Sequence, residues 1–332
     1  MPRLFRVLSA TGALAGVYCS VLYLTDNDTV PKNYPETFFS TVLRRLPTNA
    51  ASQLLGNLSN CQIPVPLRSP FFSSFCKMYS VDMTDSEEQN LDNFVSFSHF
   101  FNRKLKENSR TIDKNAPIVC PADGVIQACG VVSAASHLAL QVKRSTFNLD
   151  EFIGPLGSRP SLDTKLPNEK SLAMHYCVIY LGPNHYHGFN SPTDWSADFR
   201  RHFPGILLSV NPKKTAKYPS LLSLNERVAY IGSWKEGIFV LTAVGAFGVG
   251  SIKFANDPQF DNHDYQIHDS QSLSFIESPV KVNKMFKGEK MGHFQMGSTI
   301  VLFFEAPRGK YVWKVKSGEE VKLGQTLINA SF

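Results

Sequence analysis

Short apolar runs, separated by turn-forming residues, constrain the fold of this chain more than any other feature. They begin after Pro117, are rich in β-branched and aromatic residues, and alternate with Gly, Pro and Asn. Runs of this length and composition are typical of β-strands. The clearest are Ser171–Leu181, Phe239–Val244, Ile300–Phe304 and Tyr311–Val315. The pattern predicts a β-rich domain over residues 111–332.

The preceding part, residues 26–110, is predicted to be helical. Prolines scattered among apolar patches, such as 41–46, indicate short helices and turns from Asp26 to about Val81. Thr84 and Glu87 then have the spacing of a capping box. Apolar residues follow at helical spacing (Leu91, Phe94, Val95, Phe101, Leu105), and cations end the segment (Arg103, Lys104, Lys106). We expect one amphipathic helix there with a Phe-rich face in the core, and an α+β fold class for the whole chain.

An apolar run near the N-terminus has about the length of a membrane span. Arg3 and Arg6 precede the 18 residues 7–24, and no acidic residue occurs before Asp26. As a helix this run would be about 27 Å long, close to the hydrocarbon thickness of a bilayer. A secretory signal and a matrix-targeting presequence are alternatives, but a retained transmembrane anchor over residues 1–25 fits the length best. The two arginines favour an N-terminus on the more negative side of the membrane.

The composition limits the classes of function. Apolar residues make up 43% and charged residues 19% of the chain, as in globular proteins. The 34 Lys and Arg exceed the 28 Asp and Glu, and the net charge of +6 suits an anionic membrane surface or a nucleic acid. Because no RNP-type, C2H2 or basic-zipper pattern occurs, we expect no nucleic-acid partner.

The cysteines and histidines do not form a recognisable metal site. None of the six cysteines belongs to a C-x-x-C pair, so we interpret them as buried free thiols. His185 and His187 are close enough in sequence to share an ion, but no acidic or cysteine partner lies nearby at a familiar spacing. We therefore expect no metal.

Two segments place reactive side chains next to predicted strands. Residues 121–124, Pro-Ala-Asp-Gly, form a tight turn, and their Asp-Gly pair is also typical of a simple β-hairpin. Residues 181–192 follow directly on a predicted strand and contain His185, His187 and Asn190. Strand ends often hold reactive groups, although a structural role for either histidine is an alternative.

A third segment, residues 294–299, reads Phe-Gln-Met-Gly-Ser-Thr before an apolar strand. A glycine at 297 allows backbone strain, so that the Ser298 hydroxyl could reach the preceding carbonyl. That attack would move the acyl group from nitrogen to oxygen. If a base then removed the serine Cα proton, the ester would be eliminated and the new N-terminus would become a pyruvoyl group. An ordinary turn is the alternative, and the absence of a G-x-S-x-G elbow argues against a hydrolase.

Together and in this order, the segments resemble the phosphatidylserine decarboxylase family, most closely its mitochondrial branch. The resemblance runs from about Thr41 to the C-terminus. It is carried by Phe101–Lys106, Pro121–Gly124, Gln141–Gly154, His187, Phe189–Trp195, Arg200–Gly205, Ser209–Pro212, Asn225–Val228, Leu241–Ala246 and Met296–Thr299. The Gly-Ser-Thr run matches the self-cleavage motif of the family, with Met296 where the family has Leu.

The resemblance implies a proenzyme that cleaves itself between Gly297 and Ser298. The products would be a β chain, residues 1–297, and an α chain, residues 298–332. Ser298 would become a covalent pyruvoyl cofactor. The implied reaction converts phosphatidylserine to phosphatidylethanolamine and CO2 through a Schiff base between this cofactor and the serine amine.

The implied catalytic residues are Ser298, Asp123 and His187. Asp123 matches the processing carboxylate, and His187 matches the first histidine of the family's Asp-Tyr-His-x-x-His run, which is expected to act in decarboxylation. The chain departs from this run, because the family Asp is His185 and the second histidine, the partner of the processing carboxylate, is Asn190. An amide cannot accept a proton near pH 7, and general-base help is worth about 10²–10⁴ in rate. His185 and His293 are the candidate replacement bases.

The resemblance also implies partners and a location. The partners would be phosphatidylserine, the phospholipid membrane and the chain's own cleaved fragments, with homo-oligomerisation left open. The location would be the mitochondrial inner membrane, crossed once, with the catalytic domain facing the intermembrane space.

Two other functions remain as alternatives to this enzyme. One is a lipid-binding relative that does not process itself because of Asn190. The other is a lipoyl-type carrier, since residues 121–125 and 318–327 resemble its barrel-sandwich hairpins. We expect such hairpins within the β-rich domain. The carrier ranks last, because no lysine lies on a Met-Lys-Met-like tip.

Overall fold

The computed structural model describes most of the chain from residue 55 onward. The described ranges are 55–132, 139–142, 145–156, 172–212, 215, 221–246, 252–258, 260, 275–281, 283–295 and 297–331. The predicted anchor, residues 1–25, and the apolar patch 41–46 lie outside them. Within the described ranges, no helix combines the length and the apolar character needed to cross a membrane.

The helices are short, and strands dominate. The helical elements are α1 Val65–Tyr79, a 3-10 helix Leu91–Asn93, α2 Phe97–Phe101, α3 Leu149–Ile153 and α4 Leu221–Leu224. The strands are β1 Ile118–Val119, β2 Gly124–Val131, β3 Ala139–Val142, β4 Ser145–Asn148, β5 Leu172–Leu181, β6 Gly188–Asn190, β7 Trp195–Phe203, β8 Arg227–Trp234, β9 Gly237–Gly245, β10 Ile252–Phe254, β11 Ile276–Pro279, β12 Lys284–Met285, β13 Lys290–Phe294, β14 Ser298–Pro307, β15 Tyr311–Trp313, β16 Glu320–Val321 and β17 Thr326–Ala330. The predicted β-rich α+β class is confirmed.

One large antiparallel sheet organises the described part of the chain. Its nine strands run β11-β7-β8-β9-β14-β5-β2-β16, with β12 also paired to β7. The central strand β14 is paired along its length with β5, and over its first seven residues with β9. Because it is central and covered on both faces, its residues 300–304 are apolar and fully buried without alternation. The four predicted strand runs correspond to β5, β9, β14 and β15.

The two faces of this sheet bury separate hydrophobic clusters. Ile300, Leu302 and Phe304 pack into a cluster shared with the small sheets β10-β13-β6 and β1-β17-β15. Val301 and Phe303, which alternate with them, pack into a second cluster shared with α1, α2 and α3. Successive strand residues point to opposite faces, so β14 connects the two halves of the core.

The long helix predicted over residues 84–106 is wrong. Asp82, not Thr84, supplies the local cap, since its carboxylate accepts the Thr84 N–H at 2.9 Å. The segment then folds back on itself, and a bridge joins Ser86 to Leu105. Only the 3-10 helix and the five-residue α2 form inside it. Val95, expected in the core, is 41% exposed.

Three smaller predictions also have clear outcomes. The helix α1 has 15 residues, more than the short helices expected up to Val81. The hairpin alternative for residues 121–124 is wrong, because β1 pairs with β17 while β2 pairs with β5 and β16. All five described cysteines are free; Cys120 and Cys177 are buried as predicted, whereas Cys61 is exposed.

Candidate active site

The predicted reactive residues gather at one end of the large sheet. Ser298 is the first residue of β14 and lies between Leu181, the last residue of β5, and Gly245, the last residue of β9. The next strand in the sheet, β2, begins at Gly124, directly after Asp123. The loop 182–187 leaves β5 at the same end. The antiparallel register therefore brings together segments that are up to 175 residues apart in sequence.

Ser298, the predicted nucleophile, is fully buried and its hydroxyl has no hydrogen-bond partner. The buried Thr299 Oγ1 on the opposite face is also without one. A Cβ built on Gly297 would find its nearest atom, the Leu181 carbonyl oxygen, at 3.8 Å, so the space beside the Gly297–Ser298 bond is open. An unpartnered buried hydroxyl costs about 1–3 kcal/mol. The absence of a hydrogen bond leaves the Ser298 hydroxyl unengaged beside the Gly297–Ser298 bond.

His187 is the second buried group without a partner. Its ring stacks on Phe101, with centroids 4.1 Å apart and planes 15° apart, and neither ring nitrogen has a hydrogen bond. Its backbone oxygen accepts the Phe294 N–H at 3.0 Å, which fixes it beside the chain that leads to Ser298. Burial, helped by the nearby charge of Arg103, holds the pKa of His187 well below its usual range. The ring is therefore neutral at pH 7 and able to accept a proton.

His185 is close to His187, but its ring is engaged. Nδ1 accepts the Gly182 backbone N–H at 2.8 Å, so the proton of the neutral ring lies on Nε2, 3.3 Å from the Glu320 carboxylate. Burial lowers the pKa of His185, and Glu320 opposes that shift. His185 would have to give up its bond to the Gly182 backbone before Nδ1 could accept a proton.

The other two residues from the sequence argument lie on the small sheet. Asn190 pairs with Lys290, and its Nδ2 donates to the Gly288 carbonyl at 2.8 Å, while its backbone N–H donates to Pro121. The side chain of Asn190 thus connects β6 to the turn at Gly288, and its backbone connects β6 to the turn that carries Asp123. His293 lies on β13, and its pKa is lowered by burial and then by Lys290 and Lys253.

Asp123 belongs to a network of ion pairs, which we name the paired cluster: Asp85, Arg110 and Asp123. Arg110 donates to both oxygens of Asp123, at 2.9 Å from Nε and 2.5 Å from Nη2, and its Nη1 donates to Asp85 at 2.6 Å. The Leu323 N–H also donates to Asp123, at 2.8 Å. The hydrogen bond from Arg110 lowers the pKa of Asp85. Both carboxylate oxygens of Asp123 therefore accept hydrogen bonds.

Sequence reasoning assigned no role to Arg103, which was interpreted only as a cation at a helix end. It is 4% exposed, and its Nη2 donates to the Asn184 carbonyl at 3.1 Å. Nη1 has no hydrogen-bond partner. The only available signal was its position in the segment Phe101–Lys106, which resembles the family. Within the described ranges, no three metal-ligating side chains come close enough together to hold an ion.

The arrangement combines what self-cleavage and a serine-derived cofactor need. A buried nucleophile follows a glycine with open space beside it, a neutral imidazole lies at the same strand end, and an oriented carboxylate is held nearby. The unpartnered atoms of Ser298, His187 and Arg103 give a substrate polar groups to bind. These residues fit a pyruvoyl group formed from Ser298.

Known proteins are similar to this chain over most of its length. The family model for phosphatidylserine decarboxylase matches residues 97–329. The chain is 36% identical to the mitochondrial phosphatidylserine decarboxylase proenzyme of Cricetulus griseus, over 90% of this chain and 76% of that protein. It is 37% identical to the Caenorhabditis elegans protein of the same name, over 90% and 75%, and 31% identical to proenzyme 1 of Saccharomyces cerevisiae, also mitochondrial, over 85% and 72%. These names give no support to a non-processing relative. The chain therefore belongs to the phosphatidylserine decarboxylase family.

Proposed function

We propose that this chain converts phosphatidylserine to phosphatidylethanolamine and CO2, using a pyruvoyl group that it makes by cutting itself between Gly297 and Ser298. The observation that carries the proposal is the state of Ser298. It begins the central strand, directly follows a glycine, is fully buried, and has a hydroxyl with no hydrogen bond.

Self-cleavage needs no group from outside the chain until its last step. Ser298 Oγ attacks the Gly297 carbonyl, and the amide becomes an ester as the acyl group moves from nitrogen to oxygen. A base removes the Ser298 Cα proton, the Cβ–Oγ bond breaks, and Gly297 leaves as a carboxylate. The residual enamine isomerises to an imine, and water replaces its nitrogen with oxygen and releases ammonia. Residues 298–332 then begin with a ketone.

His187 is the residue that we assign as the base. Asn190 cannot accept a proton, and the ring nitrogens of His185 face Gly182 and Glu320. His187 is neutral at pH 7 and neither ring nitrogen has a hydrogen bond, so its unprotonated nitrogen is free to accept a proton. This assignment gives His187 a role in processing as well as in decarboxylation, and makes the site a single-histidine centre.

In the decarboxylation itself, the pyruvoyl group supplies a carbonyl that condenses with the substrate amine and accepts the electrons left behind by CO2. His187, protonated in turnover, delivers a proton to the substrate carbon that loses CO2. Phe101 keeps the His187 ring in place by stacking, and burial excludes bulk water from the strand end. Asp123, whose carboxylate is held by Arg110 and the Leu323 N–H, positions the turn that leads into β2.

The proposal extends to the location of the enzyme. The relatives are named mitochondrial, and the apolar residues 7–24 with Arg3 and Arg6 would anchor the chain in the inner membrane, leaving the catalytic part in the intermembrane space. The excess of basic residues suits the anionic surface from which a charged lipid would be taken.

A denaturing gel and an intact-mass spectrum of the purified chain test the proposal. We expect a fragment of 35 residues, 298–332, that resists Edman degradation because a ketone replaces its amine. Vesicles of phosphatidylserine should yield phosphatidylethanolamine and CO2 in proportion to the cut fraction. A single uncut band in protein that is active, or a fragment with a free serine amine, would disprove the pyruvoyl mechanism.

A further inference from the structure

Arg103 is a buried cation that has no counter-ion among the residues that the structure describes. Its side chain bonds one backbone oxygen, of Asn184, and Nη1 has no partner. Among the described residues, no carboxylate forms an ion pair with it. Burial lowers the pKa of Arg103, which the nearby Cys76 and Asp123 offset in part. A guanidinium stays charged even so, since its ordinary pKa exceeds 12.

Other buried arginines of the described chain are fully engaged. Arg110 bridges two carboxylates, and Arg201 pairs with Glu277. Arg227, as buried as Arg103, donates to four backbone oxygens, those of Glu151, Phe152, Ser223 and Asn225. Because a buried charge is costly unless it is paired, the free donor of Arg103 indicates an anion that arrives from outside.

The position of Arg103 limits what that anion can be. Arg103 is near enough to His187 to lower its pKa, and Asn184, to which it bonds, lies in the loop 182–187 beside the nucleophile. It lies two residues after the end of α2, whose Phe101 stacks on His187. An anion bound to Arg103 would therefore lie next to the reacting groups.

We propose that Arg103 binds the phosphodiester of the phospholipid substrate. The guanidinium of Arg is well matched to phosphate oxygens in geometry and charge. The inference rests on the proposed function, since it names the group that recognises the lipid at the same site. It makes Arg103 a binding residue for the lipid headgroup.

The substrate carboxylate is the competing anion, and the reaction argues against it. The carboxylate loses its charge as CO2 leaves, so a cation fixed on it would stabilise the ground state more than the transition state and slow the reaction. The phosphodiester keeps its charge from substrate to product. A cation bound to the phosphodiester stabilises the substrate and product lipids equally, so it leaves the activation barrier of decarboxylation unchanged.

The product lipid gives a test that needs no turnover. Phosphatidylethanolamine keeps the phosphodiester and lacks the carboxylate. Binding of its water-soluble dihexanoyl form to the purified full-length chain would be measured by calorimetry for the native protein, Arg103→Gln and Arg103→Lys. The matched control is Arg68→Gln, because Arg68 lies in α1 and also donates to backbone oxygens, those of Ile63 and Asp92. Urea unfolding of each variant checks that it is folded.

We expect Arg103→Gln to weaken binding about 10- to 100-fold, the effect of losing hydrogen bonds between charged groups. Arg103→Lys should recover part of the loss, and Arg68→Gln should bind like the native protein. The KM for dihexanoyl phosphatidylserine should rise by the same factor in Arg103→Gln, with kcat nearly unchanged. Inorganic phosphate should not compete at the concentrations at which glycerophosphoethanolamine does.

Other results would overturn the inference. If Arg103→Gln raised the KM for phosphatidylserine but left phosphatidylethanolamine binding unchanged, the guanidinium would contact the carboxylate. Equal competition by inorganic phosphate would indicate a general anion site. If the chain were neither cut nor active, both dihexanoyl lipids would be compared by calorimetry. If Arg103→Gln then lost the same factor in binding affinity for both lipids, the inference would be supported even though the proposed function had failed.

Discussion

Two groups of charged and polar side chains lie at the same end of the sheet and differ in one respect. In the paired cluster, Arg110 satisfies both Asp85 and Asp123 at 2.5–2.9 Å. In the second, which we name the unpaired group, Arg103, His187 and Ser298 each have a buried polar atom without a partner. Arg103 and Arg110 are only seven residues apart in the same segment. Within one segment, the fold therefore gives Arg110 two carboxylate partners and leaves one donor of Arg103 without a hydrogen bond.

The difference separates orientation from chemistry. Charges that are matched and hydrogen-bonded fix geometry, and removing one partner is destabilising. Buried groups without partners destabilise the free protein and have available donors, lone pairs or nucleophiles. A perturbed pKa in such a group, as at His187, is one indication of a functional site. We therefore assign lipid binding and the reaction to the unpaired group, and the positioning of the surrounding loops to the paired cluster.

The largest effect should come from Ser298→Ala. Removing the hydroxyl removes the only nucleophile proposed for the Gly297–Ser298 bond, so the chain should stay at 332 residues and show no decarboxylation. Ser298→Cys keeps a nucleophile and is the control, for which slow cutting is expected. Intact-mass spectra taken over several hours would follow both. A normal 35-residue fragment from Ser298→Ala would place the reaction elsewhere.

His187→Gln tests whether the unpaired group supplies the base. Loss of general-base catalysis should slow the conversion of precursor to fragments by about 10²–10⁴. The matched variant is His185→Gln, two residues away, where we expect less than a tenfold change because that ring is already engaged with Gly182 and Glu320. Pulse-labelled precursor, followed on a denaturing gel, gives both rates. If His185→Gln were the slower variant, the single-histidine centre would be wrong.

The pH dependence gives an independent check on His187. Its pKa is lowered in the folded chain, so the ring stays neutral as the pH falls through the ordinary value of about 6.5. Self-cleavage should be nearly constant from about pH 8 to about pH 6.5 and decline only below that. The stability contribution of this group is full above about pH 6.5 and is lost as the pH falls towards the folded pKa, because only the unfolded chain takes up the proton. Urea midpoints at several pH values should therefore fall more steeply for native protein than for His187→Gln.

Sequence patterns identified two members of the unpaired group, Ser298 and His187, but only Asp123 of the paired cluster. The reason is that the contacts of the paired cluster join residues that are far apart in sequence. Ser298 is recognised from its immediate neighbours Gly297 and Thr299, and the strand that follows is apolar because it is buried on both faces. Arg110 joins carboxylates that are 25 and 13 residues away in sequence. No local pattern encodes such partners.

The predicted helix over residues 84–106 failed for the same physical reason. The apolar spacing and the Thr84/Glu87 spacing are present in the sequence, but other hydrogen bonds decide the conformation. Asp82 takes the Thr84 N–H, and Lys106 N–H donates to the Asp85 carbonyl. The chain is turned back, and that reversal brings Arg103 and Arg110 to the strand end. Tertiary contacts thus override local propensity where the site is assembled.

Arg110→Gln tests the structural role of the paired cluster. It leaves Asp85 and Asp123 without their cation, and breaking a buried pair in this way costs about 3 kcal/mol. Asp85→Asn, at the more exposed end of the cluster, should cost less. The lowered pKa of Asp85 stabilises the fold above about pH 4, and that stabilisation is lost as the pH falls through the folded value. Asp85→Asn should therefore flatten the acid limb of stability against pH, measured by urea unfolding. A full loss of cleavage in folded Arg110→Gln, with unchanged stability, would contradict the division of roles.

The smallest effect is expected from restoring the absent histidine. Asn190 donates to Gly288 and lies beside the turn that carries Asp123, so Asn190→His would place an imidazole near that carboxylate. Yet Asp123 already receives hydrogen bonds from Arg110 and the Leu323 N–H. An anion neutralised in this way raises the basicity of a new neighbour only slightly, and we expect cleavage to speed up less than about tenfold.

The double variant Asn190→His with Arg110→Gln makes that prediction specific. Freeing Asp123 should let it orient and charge-stabilise the new imidazole, so the gain from Asn190→His should be larger without Arg110 than with it. The four cleavage rates form a double-mutant cycle, and its coupling term isolates the effect of Arg110 on the new base. Equal gains in both backgrounds would show that Asp123 is available despite its ion pair. In that case Asp123 would take part in the chemistry and would belong with the unpaired group rather than with the paired cluster.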